Sequence, residues 1–207
     1  MQVSLTDDHP IFRRGLRQLI EEADGHQICG EHGDGEAALA HFEQHRCDVA
    51  IVDLDMPGRG GLELLRAVSA RHPEQRVLIV SFHPEAQYAT RALSLGARGY
   101  LTKSAAEEHL IAAITAIARG GHFLTPAAAT LVVSGGLRDM RPHERLSERE
   151  FQVLVLLAQG VPPGEIGARL ALSPKTVSTY KTRLHEKLGI ESAAGLVRYA
   201  LDQGLLP

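Results

Sequence analysis

The sequence predicts an α/β doubly wound domain built on a five-stranded parallel sheet, followed by an all-α domain of four short helices. Two observations predict this division. Short apolar runs and amphipathic stretches alternate over about the first 120 residues, whereas the hydrophobic periodicity from Leu146 onward is helical throughout. The chain of 207 residues is also longer than one ordinary compact domain, and its 44% hydrophobic and 23% charged residues are typical of globular proteins.

Five strand-helix pairs fill the predicted first domain, residues 1–124. Parallel strands need a crossover connection, so this alternation indicates a parallel sheet with helices on both faces. The runs AIV and VLIV are apolar without alternation, as expected of strands covered on both sides. The predicted strands are QVSLT, HQICGE, DVAIVD, RVLIVS and RGYLT, followed by helices at 11–22, 36–45, 62–71, 86–95 and 105–119.

A turn-rich segment, residues 125–145, separates the two predicted domains. A Gly-Gly pair at 120–121 just before this segment, a second at 135–136 within it and the charged run RDMRPHER indicate one short helix at 126–133 and then a flexible linker. In the second domain, residues 146–207, Ser147 and Glu150 fit a capping box at the first helix start. Three further starts are marked by Pro163, by Ser173 with the proline after it, and by Ser192.

Composition excludes several classes of protein. The first ten residues contain acids, and no stretch approaches the roughly 18 apolar residues of a membrane span, so we expect a cytoplasmic protein without a membrane partner. Cys29 and Cys47 form no CxxC motif, which predicts core residues rather than a disulfide or a thiolate metal site. His41 and His45 share a predicted helix face but have no third ligand nearby in sequence, so a solvated face is favoured.

Charge is distributed unevenly along the chain. The first domain carries 12 basic and 17 acidic residues, whereas the second is nearly neutral. Within the second domain, residues 173–188 form a basic helix that contains Lys175, Lys181, Arg183 and Lys187 against Glu186 alone. A basic helix in a nearly neutral domain indicates a local anionic partner.

Acidic residues follow two of the predicted strands at the point where each strand ends. Asp7 and Asp8 come after the first strand, and Asp53 ends the third. Carboxylates that converge at one sheet edge repel one another unless a cation lies among them, and an all-oxygen site suits Mg²⁺. Ser81 ends the fourth strand and Lys103 follows the fifth, so a hydroxyl and an ammonium could neutralise a phosphoryl group attacked by Asp53.

These residues resemble the receiver domains of response regulators, and the runs DDHPIFRRGL, DLDMPGRGGLELL and GARGYLTKS resemble the NarL/FixJ branch over residues 2 to about 120. The resemblance implies a flavodoxin-like fold and phosphorylation of Asp53 by a sensor histidine kinase. It implies a protein that promotes its own phosphoryl transfer and slow dephosphorylation, not an enzyme. It also implies that Asp8, Asp53 and the backbone carbonyl of Asp55 bind Mg²⁺, with Asp7 supporting them.

A conformational switch is implied by the same resemblance. Ser81 would follow the phosphoryl group inward and Tyr100 would turn with it, altering the surface of the last strand and helix. One position departs from the pattern, because receivers often have a small residue immediately after the switch hydroxyl and this chain has Phe82. A bulky ring beside Asp53 predicts slower entry of small phosphodonors or water.

The long basic helix carries a packed stripe, since Val177, Tyr180, Leu184 and Leu188 recur at spacings of three and four. The opposite face presents short polar side chains between cations, which suits a helix in the major groove of DNA. There hydroxyls meet base edges, and Lys or Arg meets phosphates. The predicted DNA-contacting residues are Lys175, Thr176, Ser178, Thr179, Lys181, Thr182, Arg183 and Lys187.

Residues 146–200 resemble the LuxR-type helix-turn-helix through the runs LSEREFQVL, EIGARL and LSPKTVSTYKTRLHEKLGI. The resemblance implies a recognition helix at 174–188 and control of transcription. It also implies that a homodimer binds paired half-sites of a double-stranded DNA operator, with the helix at 192–203 as a dimer contact.

Two other functions compete with this interpretation. DLDMP is similar to the nucleophile motif of haloacid-dehalogenase-type phosphatases, which would make Asp53 the nucleophile of a Mg²⁺-dependent enzyme. Those enzymes carry the nucleophile on the first strand and the acidic pair late, the reverse of the order here. Alternatively, the first domain could act as a dimerisation scaffold for phosphorylation-independent DNA binding. The complete set of acidic, hydroxyl and lysine positions argues against loss of the switch.

Overall fold

The computed structural model describes residues 1–126, 128–130 and 141–206. The chain divides into two compact units, Met1–Leu137 and Arg138–Pro207. Of the predicted helix at 126–133, residues 126 and 128–130 are helical, and the rest lies outside the described residues, as does the predicted linker up to residue 140. None of the helices among the described residues combines the length and the hydropathy needed to cross a membrane.

The first unit contains a sheet of five strands: β1 (Gln2–Thr6), β2 (Gln27–His32), β3 (Val49–Val52), β4 (Val77–Ser81) and β5 (Gly99–Thr102). All neighbours are parallel, and their order is β2-β1-β3-β4-β5. The predicted fold class is confirmed. Every residue of β3 and β4 is buried, which explains why their sequences are apolar without alternation.

Each strand of the first unit is followed by a helix: α1 (Pro10–Glu22), α2 (Gly35–Gln44), α3 (Gly61–Arg71), α4 (Glu85–Ser94) and α5 (Ala106–Ala118). A single 3₁₀ turn, Lys103–Ala105, precedes α5. Residues of α1 and α5, among them Ile20 and Ile114, join strand residues in one core cluster. Because the ends of all five strands meet at one edge, polar residues that follow the strands are brought together there.

The second unit is helical and contains α6 (Glu148–Ala158), α7 (Pro163–Leu170), α8 (Pro174–Leu188) and α9 (Ala193–Asp202). The capping box is present: the hydroxyl of Ser147 accepts from the Glu150 N–H at 3.3 Å, and the Glu150 carboxylate accepts from the Ser147 N–H at 2.7 Å. A left-handed Ala171 (φ 54°) forms the turn between α7 and α8. This tight turn joins the two helices that the sequence predicts as a helix-turn-helix.

Candidate functional site

Three carboxylates, Asp7, Asp8 and Asp53, lie together at the carboxyl edge of the sheet and are called the acid cluster below. Neighbouring strands set their positions, because the Asp53 N–H donates to the Thr6 carbonyl of β1 at 2.8 Å. Gly61 at the start of α3 makes room for this backbone, since a Cβ there would lie 2.0 Å from the Asp53 carbonyl oxygen. A larger residue at this position would therefore displace the backbone that carries Asp53.

The ammonium of Lys103 lies inside the acid cluster. Its Nζ is 2.7 Å from Asp7 Oδ2 and 2.8 Å from Asp53 Oδ2, and its side chain is fully buried. The other oxygen of Asp53, Oδ1, accepts from the Leu54 N–H at 2.7 Å. Burial raises the pKa of Asp53 to about 6, although the hydrogen bond from Lys103 acts in the opposite direction. One cation thus faces two buried carboxylates.

The donor set of the acid cluster fits a hard divalent cation. Oxygens of Asp7, Asp8 and Asp53 and the Nδ1 of His9 all lie within 4.8 Å of one another. His9 Nδ1 is 2.6 Å from Asp8 Oδ1 and 3.3 Å from Asp7 Oδ1. Three carboxylates against the single charge of Lys103 leave an excess of negative charge, which an oxygen-coordinated ion such as Mg²⁺ would offset. His9 is not among the site residues predicted from the sequence.

A histidine from the loop after β4 connects the predicted switch residues. The His83 N–H donates to Ser81 Oγ at 3.3 Å, and the Tyr100 hydroxyl donates to the His83 carbonyl at 2.9 Å. The His83 ring stacks on Tyr88, and its Nε2 is 2.8 Å from Asp55 Oδ2. Tyr100 is fully buried, and burial raises the pKa of its hydroxyl. Sequence reasoning missed His83, whose role depends on which way the loop turns.

Two aromatic rings cover the ammonium at the centre of the site. The Nζ of Lys103 is 4.5 Å from the ring centre of Phe12 and 4.6 Å from that of Phe82. Phe82 is 63% exposed, so the ring lies between Lys103 and solvent. Cation-π contacts of this kind are attractive, and here they place a bulky group at the mouth of the site.

The basic helix α8 presents one polar face. Val177 and Leu184 are buried, whereas Tyr180 and Leu188 are partly exposed. Hydroxyls of Ser178, Thr179 and Thr182 donate to the carbonyl four residues earlier, so their oxygen lone pairs remain available as acceptors. Of the predicted DNA-contacting residues, Thr176 and Lys181 are partly buried, and Lys175, Ser178, Thr179, Thr182, Arg183 and Lys187 are exposed.

Lys187 has a partner within its own unit. Its Nζ lies 2.7 Å from Oε2 of Glu150, the capping-box carboxylate, which is only 2% exposed. Burial raises the pKa of Glu150, but the hydrogen bonds from Lys187 and Ser147 outweigh it and the net pKa is lowered. The ion pair therefore links α8 to the start of α6, a contact that the sequence analysis did not anticipate.

Cys47 is buried in the core, as predicted, and both cysteines lie close to His41. The sequence offered no third ligand near His41 and favoured a solvated face, but the Sγ of Cys47 lies 3.6 Å from His41 Nε2. The ligand atoms of Cys29, His41 and Cys47 all lie within 4.8 Å of one another. The sheet brings together residues that are far apart in sequence, which spacing alone cannot reveal.

Comparison with known families agrees with this architecture. Residues 3–115 match the family model of the response regulator receiver domain, and residues 144–200 match the model of bacterial regulatory proteins of the luxR family. The chain belongs to the DNA-binding response regulators that join a receiver domain to a LuxR-type domain. The family predicted from the sequence is thereby confirmed.

Individual relatives cover nearly the whole chain. It is 32% identical over 208 residues to the response regulator UvrY of Escherichia coli K12, covering 99% of this chain and 95% of UvrY. It is 34% identical over 209 residues to GacA of Pseudomonas syringae pv. syringae, covering 100% and 98%. Among solved structures, RcsB of Salmonella enterica serovar Typhimurium bound to promoter rprA with the phosphomimetic BeF3⁻ is 29% identical, with a TM-score of 0.61 over 96% of this chain and 98% of that one.

Proposed function

We propose that this response regulator is switched by phosphorylation of Asp53 by a sensor histidine kinase. The observation that carries the proposal is the buried ammonium of Lys103, which lies 2.8 Å from Asp53 and 2.7 Å from Asp7. Phosphoryl transfer depends on positioning and on stabilisation of the charge that spreads over the equatorial oxygens. A buried cation beside the proposed nucleophile supplies that stabilisation.

In the proposed transfer, the Asp53 carboxylate attacks phosphorus as the bond to the donor imidazole breaks. Lys103 then moves its hydrogen bond from Asp53 to an oxygen of the transferred group, and the hydroxyl of Ser81 donates to another. Asp8, Asp53 and the backbone carbonyl of Asp55 would hold Mg²⁺, with Asp7 supporting them. Bound Mg²⁺ would supply positive charge at the transferring group. The domain would promote only this transfer and slow dephosphorylation.

Phosphorylation would act on the switch residues through His83. If the Ser81 hydroxyl turned toward the phosphoryl group, it would lose the hydrogen bond that it accepts from the His83 N–H. The carbonyl of the same His83 accepts from the Tyr100 hydroxyl. The loop after β4 and the end of β5 would then respond together. This linkage supports a role for Ser81 and Tyr100 in transmitting the signal.

We further propose that α8 binds the major groove of an operator as part of a homodimer. The exposed hydroxyls of Ser178, Thr179 and Thr182 are suited to base edges, and the cations Lys175, Lys181 and Arg183 to phosphates. Lys187 is less available than these because Glu150 already neutralises its charge. Leu201 on α9 is 57% exposed, which supports α9 as the dimer contact.

The Asp53→Asn variant tests the phosphorylation proposal, with Asp55→Asn as the matched control. The control loses a carboxylate two residues away but keeps the backbone carbonyl proposed to hold Mg²⁺. With acetyl phosphate and Mg²⁺, wild type and Asp55→Asn should gain hydroxylamine-sensitive phosphate, and Asp53→Asn should gain none, because an amide is a poor nucleophile. Phosphate of this kind on Asp53→Asn would show that another residue is the acceptor.

A further inference from the structure

A cluster of soft metal ligands lies at the β2 edge of the sheet, away from the proposed phosphoryl-transfer chemistry. Cys29 on β2, His41 on α2 and Cys47 before β3 form it, and we call it the thiol cluster. Its three ligand atoms lie within 4.8 Å of one another, and the Cys47 Sγ is 3.6 Å from His41 Nε2. Cys47 is buried and the other two residues are partly buried. Two sulfurs and an imidazole therefore converge in a place with limited access to water.

An irregularity of the sheet positions the first of these ligands. In the pairing of β1 with β2, Val3 is opposite Ile28 but Ser4 is opposite Gly30, so Cys29 is an extra residue in a β-bulge. A bulge changes the direction of a side chain locally and is common beside functional sites. In a regular strand, by contrast, successive side chains alternate strictly between the two faces of the sheet.

Gly30 leaves the space that two imidazoles fill. A Cβ at this position would lie 2.7 Å from His41 Cε1 and 2.9 Å from the Nε2 atoms of both His41 and His32. The ring centres of His32 and His41 are 4.8 Å apart. The absence of a side chain at Gly30 thus lets a second histidine, His32, lie against His41 at the border of the thiol cluster.

His32 has an unused ligand atom. Its Nε2 is buried and has no hydrogen-bond partner among the described residues. A buried polar atom without a partner is costly, and such atoms are uncommon in folded proteins. A metal ion at the thiol cluster would give the orphaned nitrogen a partner.

We propose that Cys29, His41 and Cys47 bind one Zn²⁺ ion, with His32 as the fourth ligand. Two sulfurs and two imidazole nitrogens form a common tetrahedral zinc set, and thiolates select soft or borderline ions over Mg²⁺. Each thiol loses its proton on binding, so one Zn²⁺ displaces two protons from the cysteines into the buffer. The site is distinct from the acid cluster, whose donors are carboxylates.

Metal titration of the reduced full-length protein tests the proposal, with excess Mg²⁺ present to compete at the acid cluster. Co²⁺ is the spectroscopic probe, because thiolate ligands give a charge-transfer band that oxygen ligands do not. We expect one Co²⁺ per chain with this band, displaced by one Zn²⁺. Cys29→Ser and His41→Ala should lose the band. The matched control is His45→Ala, since His45 stacks on His41 but is exposed and outside the cluster.

A second measurement on the wild-type chain avoids dependence on how the variants fold. Bound Zn²⁺ should protect both Cys29 and Cys47 from alkylation, and a chelator should restore their reaction. The proposal is overturned if Zn²⁺ leaves alkylation unchanged, if the cobalt complex lacks the thiolate band, or if Cys29→Ser binds as much metal as wild type. Formation of a Cys29–Cys47 disulfide without metal binding by the reduced protein would also overturn it and would assign a redox role instead.

Discussion

Removal of the Lys187 side chain should destabilise the helical unit more than it weakens contacts with DNA. The Glu150 carboxylate is 2% exposed, and Lys187→Ala would leave it with the Ser147 N–H but without its ammonium partner. Breaking a fully buried pair costs about 3 to 5 kcal/mol, because the remaining charge is uncompensated. Since the Lys187 side chain is 44% exposed, solvent screens the pair and we expect about 1 to 2 kcal/mol.

Hydrogen exchange of the full chain, resolved by peptide mass spectrometry, measures this loss where it occurs. A change of about 1 to 2 kcal/mol raises the opening equilibrium of α6 and α8 roughly 5- to 30-fold, whereas peptides of the receiver unit should be unaffected. Arg183→Ala is the matched control, because Arg183 lies exposed on the same helix and has no ion pair among the described residues. Equal exchange in Lys187→Ala and Arg183→Ala would show that the pair of Lys187 with Glu150 does not stabilise α6 and α8.

The stabilisation by this pair should depend on pH in a defined direction. The pKa of Glu150 is lowered in the folded unit. The ionised carboxylate therefore contributes its full stabilisation when the pH is above the pKa of a glutamate in the unfolded chain, about 4.3. It should be lost as the pH falls through the lowered pKa of Glu150. The difference between wild type and Lys187→Ala should therefore be largest near neutral pH and shrink in acid. A difference that grows in acid would contradict the assignment.

Three substitutions separate access to the phosphorylation site, base recognition and charge. Phe82→Ala should speed phosphorylation by acetyl phosphate more than phosphorylation by a kinase, because the ring lies over Lys103 and obstructs small molecules. Stopped-flow rates of phosphorylation by acetyl phosphate that equal those of wild type would contradict this. Thr182→Ala should reduce the binding free energy by roughly 1 to 3 kcal/mol on the preferred operator and by much less on random DNA. The slope of log K against log salt concentration should not change. Arg183→Ala should instead lower that slope by about 0.9. If Thr182→Ala lost the same binding free energy on both DNAs, Thr182 would not be a base-contacting residue.

Sequence periodicity predicted most of the fold because each element had one consistent pattern. The predicted recognition helix has the same bounds as α8, Pro174–Leu188, since Ser173 caps it and Gly189 ends it in a left-handed conformation. Strand-end positions predicted the acid cluster for a similar reason: in a parallel sheet, the ends of neighbouring strands must meet at one edge. The ammonium of Lys103 lies where that argument places it.

Contacts that depend on side-chain direction or on irregular backbone could not be predicted in this way. The hydrogen bonds of His83 depend on the path of the loop after β4. The pair Lys187–Glu150 joins two helices. Hydrophobic periodicity in the sequence defines only coarsely how these helices are rotated relative to each other. Cys29 reaches the thiol cluster through a β-bulge, and neither the bulge nor the space left by Gly30 has a recognisable spacing in the sequence. Such features come from tertiary packing.

If phosphorylation of Asp53 controls DNA binding, operator affinity should differ between protein samples with and without acetyl phosphate and Mg²⁺. An operator is first selected from random DNA with the phosphorylated protein, and oligomeric state is measured in the same samples. We predict that phosphorylation promotes dimers and raises operator affinity in the wild-type protein, because linked binding to two half-sites gains from effective concentration. Asp53→Asn should show neither change. Identical affinity and oligomeric state of the wild-type protein with and without phosphate on Asp53 would contradict the claim and would leave the receiver as a dimerisation scaffold.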